Sequence, residues 1–475
     1  MTFRRGVFEK VHSTGIAVAL SMLFLALTIA PADIRASANN SGEKGENGWN
    51  LVPQILKRIV PPKFPDRNFV ITDYGAVAGG KSMCTDAFAK AIEACSKAGG
   101  GHVVVPKGVF LTGAIHLKSN VDLHVSEGAV VKFSTDPKDY LPVVRVRWQG
   151  IDAMNYSPLI YAYGQKNVAI TGKGMLDGQA DSQYWWPWKK LSNEPNSWPL
   201  LAKYNDEKVP VAKRIFGEGH YLRPTFVELF RCENVLIKDV HLENAPFWFL
   251  HPVLCTNVTV DGIETNSDGP NTDGCDPESC TDVLIEKCVF NDGDDCIAIK
   301  SGRNNDGRRV HMPAKNIIVR DCTMKNGHGG VSIGSEITGG ASDIFVENCA
   351  MSSPELDQAL RLKSNKKRGG IIQDVYARNI VIGQVKVAIL RINLDYDPPE
   401  ARGYSYYPTV KNIFLENVTS KKSRYGLFLN GLPQSKISNV VLKDCRFDGV
   451  AEDNNITNAV GLKYENVHVN GKLLK

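Results

Sequence analysis

The chain has 475 residues, room for two or three ordinary domains or one long repetitive one. Its 43% apolar and 23% charged content excludes wholesale disorder. The formal charge of +5 is too weak a bias for nucleic-acid binding, which usually shows a denser basic patch, but it tolerates an anionic polymer as partner.

At the N-terminus, Arg4 and Arg5 precede an apolar run from Ile16 to Ala30, and Ala36-Ser37-Ala38 follows. A positive start, a short apolar middle and an A-x-A end are the parts of a secretory signal peptide. The run is shorter than the ~20 residues that span a bilayer as a helix, so removal is expected over retention as an anchor. We therefore assign residues 1–38 to a signal peptide and expect a secreted protein with no membrane attachment after cleavage. Residues 39–65, polar and Gly/Asn-rich and then carrying Pro61, Pro62 and Pro65, read as a linker or loosely attached arm. Residues 66–475 read as the functional domain.

That domain opens with a short strand at Phe69-Val-Ile-Thr and a helix from about Asp86 to Lys97. Thr85 is the expected N-cap, Phe88, Ile92 and Cys95 share one face, and Gly99-Gly100-Gly101 ends the helix. No long helical period follows. Instead one pattern recurs: polar, Asn/Asp, apolar, x, apolar, x, Asn/Asp, apolar. Glu233-Asn-Val-Leu-Ile, Thr256-Asn-Val-Thr-Val, Thr281-Asp-Val-Leu-Ile, Lys315-Asn-Ile-Ile-Val, Ser342-Asp-Ile-Phe-Val, Lys411-Asn-Ile-Phe-Leu and Ser438-Asn-Val-Val-Leu all carry it. Gln165-Lys-Asn-Val and Asn120-Val-Asp-Leu are looser copies. Most steps are 23 to 34 residues, and one step of 69 holds space for two turns.

A fixed period of this size signals a solenoid. Short strands repeating in one sense, without crossover helices, stack as a parallel β-helix; a β-sandwich or barrel would not keep the Asn positions in register. The expected fold is all-β: a single-stranded right-handed parallel β-helix with a short N-terminal helix capping the open core. The eleven cysteines are too dilute for a disulfide scaffold and contain no CxxC; Cys288, Cys322, Cys349 and Cys445 recur at one motif position and read as stacked core residues. The sequons Asn257-Val-Thr and Asn417-Val-Thr fall in strands, where laddering is expected over glycosylation. Arg308-Arg309 reads as a solvated turn. A monomer is expected.

Such a fold hosts hydrolases, lyases, esterases and adhesins, so side chains must decide the function. Asn271-Thr-Asp-Gly supplies Asp273, and Asn291-Asp-Gly-Asp-Asp supplies Asp292, Asp294 and Asp295. The 21 residues between Asp273 and Asp294 are about one coil, which sets them side by side. Gly327-His328-Gly follows one coil on, and Arg361-Leu-Lys363 one or two further, with both cations on one strand face. Glycoside hydrolysis needs an acid to protonate the leaving oxygen and a carboxylate to activate water or attack the sugar. Crowded carboxylates cannot all ionise, a histidine tunes the proton, and Arg and Lys suit a uronic acid. Clustered aspartates also suit calcium, as in a lyase of the same fold.

These four motifs, in this order, resemble glycoside hydrolase family 28, the polygalacturonase family, and the resemblance runs from about Asn68 to the end. Leu362 departs from the isoleucine usual there, at a side chain expected to face the core. The resemblance implies hydrolysis of α-1,4-linked galacturonic acid with inversion and no metal or other cofactor. Asp294 would be the general acid, Asp273 and Asp295 would activate water, and His328 would support the acid's protonation. Arg361 and Lys363 would bind the substrate carboxylate, with Tyr396 and Asn271 shaping neighbouring subsites. The longer Asn-Thr-Asp-Gly-Cys-Asp-Pro-Glu-Ser and Lys300-Ser-Gly-Arg303 stretches resemble the chain-end-cutting subgroup, with residues 179–225 as a wall; rhamnogalacturonan- or xylogalacturonan-directed cleavage reuses the same acids.

Overall fold

The computed structural model describes residues 46–475, and the expected signal peptide lies outside them. The repeating motif folds as expected into a single-stranded right-handed parallel β-helix. Thr256–Asp261 pairs in parallel with Thr281–Glu286, which pairs with Ala314–Arg320, then Ala341–Glu347, Ile371–Ile382 and Thr409–Ser420. The 69-residue step does hold two turns, because Asp374 occupies the missing corner between Asp343 and Asn412.

The corner explains why the motif demands Asn or Asp. Residues 120, 167, 234, 257, 282, 316, 343, 374, 412 and 439 all sit at φ between +53° and +64°. That left-handed region costs most L-residues about 1–2 kcal/mol, and Asn and Asp tolerate it best after glycine. Their side chains then bond from coil to coil: Asn167 to Asn120, Asn234 to Asn167, Asn257 to Asn234, Asn316 to Asp282 and Asn439 to Asn412, all at 2.8–2.9 Å. Asn257 and Asn417 are thus ladder residues, the latter donating to Asn379. Inside, valines, isoleucines and leucines stack with all eleven cysteines, each free and buried.

The capping helix spans Thr85–Lys97, with Phe88, Ile92 and Cys95 buried against the first coils. Thr85 is its first residue rather than its N-cap, and its hydroxyl accepts instead from the Gly113 amide at 2.7 Å.

The stretch 39–65 is not a loose arm over its described part. Glu46–Leu51 forms a 3-10 helix and Val52–Leu56 an α-helix. Val52, Ile55 and Ile59 are buried on an outer stripe of Leu284, Ile318, Phe345, Tyr376, Phe414 and Val441. Trp49 packs on Phe345 and Tyr376, and Arg58 makes two bonds to Asp282, at 2.6 and 2.8 Å. Gly48 lies so close to Tyr376 that a Cβ would come within 2.1 Å of the ring. An apolar stripe on the outside of a solenoid demands a cover, and this segment supplies it.

Replacing the corner residue in Asn316→Ala removes a ladder bond and forces alanine into the left-handed region. Stability should fall by about 2 kcal/mol, read as a lower thermal unfolding midpoint with activity retained.

Candidate active site

One wall of the β-helix carries the site. It runs through Val227–Phe230, Leu250–Val253, residues 275–278, Ile297–Ile299, Val331–Ile333, Gln358–Lys363 and Ala388–Asn393, one strand per coil. Asp273 precedes the segment at 275–278 and Asp294-Asp295 precedes Ile297–Ile299, so sequence distance becomes a one-coil neighbourhood. Asp273, Asp294 and Asp295 each present an oxygen within 4.8 Å of the others. All eight residues expected from the sequence, Asn271, Asp273, Asp294, Asp295, His328, Arg361, Lys363 and Tyr396, line a single cavity of about 380 Å³.

The three carboxylates differ in environment. Asp295 is buried, yet Ser332 donates to its Oδ1 at 2.7 Å, Arg361 to Oδ1 at 3.1 Å and Lys363 to Oδ2 at 2.7 Å. Burial disfavours its charge, but Lys363, Arg361 and Lys300 outweigh burial and hold its pKa below the usual carboxylate range. Asp294 is the most open of the three, its side chain 16% exposed against 4% for Asp273 and 1% for Asp295. It accepts from His328 Nδ1 at 3.0 Å and from the Asn271 amide at 3.3 Å. Burial opposes its ionisation, and the His328 hydrogen bond reverses that, so its pKa is lowered while that of His328 is raised. Asp273 has no such help. Burial, then repulsion from Asp294, pushes it up to about 8, and its Oδ1 has no hydrogen-bond partner. Of the three acids Asp273 thus holds its proton most tightly, and between His328 and Asp294 the proton is favoured on His328.

Several residues at the cavity lie outside the four ordered motifs. Ser332 is a polar residue centred between Val331 and Ile333, facing the same way as Arg361 by register; that alternation was its only signal. Lys300 lies 3.3 Å from Asp276, 3.4 Å from Glu336 and 3.7 Å from Asp273, with its ammonium 4.4 Å from the Trp248 ring centroid. Arg223 is fully buried and donates to Asn271 Oδ1 at 2.8 Å and to the Pro270 and Pro246 carbonyls. Lys189 donates to the same Asn271 oxygen at 2.7 Å. Lys363 and Arg361 both reach Asp295, and Tyr396 packs beside them, 5.6 and 5.9 Å from ring centroid to each cation. Three acids this close could attract a divalent ion, but calcium wants six to eight oxygens, and Asp295 is already saturated by cationic donors.

The far side of the cavity is walled. The hairpin Val144–Trp148/Ile151–Asn155 brings Gln149 to the rim. Behind it, Arg147 bonds Asp152 at 2.7 Å, Arg214 bonds Asp306 at 2.6 Å and Arg309 bonds Asp152 at 2.9 Å. The inserted helix Trp198–Asp206 joins through Asn205, whose side chain meets Asp306 N and Arg303 O. Arg308-Arg309 is therefore no solvated turn: both lie in the helix Asn304–Val310, Arg308 over Tyr406 and Arg309 in the ion-pair network. Within the insertion, Trp185 is buried against Tyr140 and Trp188.

An open acid backed by a histidine, beside an ionised carboxylate, on a β-helix wall, is the equipment of a glycoside hydrolase. Residues 95–467 match Glycosyl hydrolases family 28, and the chain belongs to that family. It is a glycoside hydrolase of the polygalacturonase type. A probable polygalacturonase of Vitis vinifera is 28% identical over 393 residues, 79% of this chain and 73% of that one. An exo-poly-alpha-D-galacturonosidase of Dickeya chrysanthemi is 28% identical over 74% of this chain and 62% of its own length. The crystal structure of a hyperthermoactive exopolygalacturonase from Thermotoga maritima superposes with a TM-score of 0.87 at 42% identity, covering 90% of this chain and 97% of that one.

The raised pKa of Asp273 carries a stability consequence. The folded protein keeps a proton that the unfolded chain releases above pH ~4, so stability falls with rising pH until Asp273 itself ionises near 8. Asp273→Asn cannot ionise, so it should raise the thermal unfolding midpoint, and by more at pH 8 than at pH 5, while turnover is lost. Thermal melts of both proteins at the two pH values check this.

Proposed function

We propose that this enzyme hydrolyses α-1,4-linked galacturonic acid from polygalacturonan chain ends, outside the cytoplasm, with inversion at the anomeric carbon and without a metal. The observation that carries this reading is the meeting of three carboxylates in one walled, cation-lined cavity, with Asp294 the most open of them and bonded to His328. Asp294, open to the cavity, takes up the proton of its hydrogen bond with His328 and passes it to the leaving oxygen, and His328 regains one from solvent, its side chain being 51% exposed. Asp295, ionised by its cations, orients the attacking water together with Asp273. Arg361 keeps guanidinium N–H groups beyond the one given to Asp295 and binds a substrate carboxylate. Lys363 chiefly holds Asp295, while Tyr396 and Asn271 shape the subsites.

The closest acid oxygens lie within 4.8 Å, nearer than the ~6.5–9.5 Å between carboxyl groups usual in inverting enzymes. Inversion is supported on other grounds: three donors already occupy the Asp295 oxygens, which leaves that carboxylate poor at attacking carbon. Exo action is supported by the wall of hairpin and insertion at one end of the cavity and by the likeness to the Thermotoga maritima enzyme. Export rests on the N-terminal pattern.

Incubation with polygalacturonate and oligogalacturonides, followed by product sizing, tests the substrate and mode. Monomer alone is expected; early mixed oligomers would remove exo action, and cleavage of rhamnogalacturonan or xylogalacturonan in preference would remove the substrate. Proton NMR of the fresh product should show the β-anomer first. Asp294→Asn should lower kcat by about 10³-fold with KM little changed.

A further inference from the structure

We infer that Lys189, on the inserted segment and outside every family motif, receives a substrate carboxylate on one side of the cleaved bond and so selects two consecutive uronic acids. This rests on the hydrolase reading above and deepens it.

The argument is one of elimination among the cations that line the cavity. Lys300 is held by Asp273, Asp276 and Glu336. Arg303 is held by Glu336 and Glu400, and Arg368 by Glu400. Arg361 and Lys363 are held by Asp295. Each of these has a carboxylate oxygen within 4 Å, Glu336, Glu400 and Asp295 being the acids held ionised by them. Among the described residues, Lys189 alone of the lining cations has no carboxylate oxygen within 4 Å; Asp294 and Asp273 act on it only from further away. The residue is exposed on the short helix Trp188–Leu191, while burial and the Arg223 charge lower the pKa of its ammonium, which donates to the neutral Asn271 Oδ1.

That oxygen is shared with Arg223, a fully buried guanidinium that also lacks a carboxylate partner. Two cations at 2.7 and 2.8 Å from one neutral oxygen repel each other, and an incoming anion relieves that repulsion. Arg223 is sealed in and spends its Nη1 on the Pro246 and Pro270 carbonyls. Lys189 is the member of the pair that a ligand can reach.

Position gives the specificity. Asn271 hangs from the coil of Asp273 and donates to Asp294 Oδ2 at 3.3 Å, which fixes Lys189 on that side of the acid. Arg361 and Tyr396 stand on later coils, on the opposite side of Asp294. A sugar bond placed at Asp294 therefore has a cation toward each flanking residue. A run of uronates satisfies both; a backbone that alternates uronate with neutral sugar satisfies one. The two donors on Asn271 Oδ1 also fix the amide so that its NH₂ faces Asp294.

The test is steady-state kinetics on trigalacturonate with Lys189→Gln and Lys189→Arg. Lys189→Gln should raise KM by about tenfold with kcat within about threefold, and the salt sensitivity of KM should shrink. Lys189→Arg should restore both. Cleavage by the wild-type enzyme with unchanged KM in Lys189→Gln would overturn this inference alone. So would a loss confined to kcat that Lys189→Arg does not restore, which would mark Lys189 as only a support for Asn271. If the wild-type enzyme does not cleave trigalacturonate, the parent reading falls and this one with it.

Discussion

Everything in this molecule depends on a corner. Once per coil the backbone enters the left-handed region at an Asn or Asp, and the amide of one coil bonds to the next. Backbone pairing alone would tolerate slippage, but a one-residue slip in a parallel stack turns every inward side chain out. The polar corner and the apolar stacks must both stay in register, and together they specify it. That registration allows residues separated by 21, 34 and 66 positions in the chain to meet around one cavity. The precision of the site is inherited from the repetition of the scaffold.

Within that frame the chemistry is a distribution of charge. Three carboxylates in one small volume would repel one another if all ionised, and the fold resolves this by unequal treatment. Two cations and a serine favour the Asp295 anion, the His328 hydrogen bond lowers the pKa of Asp294, and burial raises that of Asp273. The cations in turn are fixed by further acids, Lys300 by Asp276 and Glu336, Arg303 by Glu336 and Glu400. The active site is the open end of a buried electrostatic network that also binds the wall together.

The fold was legible because its grammar is periodic: the Asn/Asp corner and the apolar pair recur, and even the long step announced its two turns. The meeting of Asp273, Asp294, His328 and Arg361 in one cavity was legible for the same reason, since they follow coil spacing. What escaped the sequence lacks period. The packing of residues 46–60 was hidden by prolines and short length, although Leu284, Ile318, Phe345, Phe414 and Val441 occupy the motif position between the two core residues, where Thr259 shows that polarity is allowed. Those outward apolar side chains were the signal for a covering segment. Lys189 and Arg223 belong to an insertion whose path no repeat dictates. The proton on Asp273 follows from burial depth, which one-dimensional spacing does not encode.

The eleven thiols of the core have a separate consequence. Each is free and buried, Cys84 and Cys95 at the capping helix and the others in the coils. Burial raises the pKa of several, Cys255, Cys275 and Cys296 among them, so the native protein presents no exposed sulfur to an alkylating or oxidising reagent. Opening a coil would uncover cysteines from the stack. Labelling by such a reagent would therefore count open molecules and leave closed ones unmarked. The same sulfurs that fill the interior would act as an internal clock of how often the solenoid comes apart.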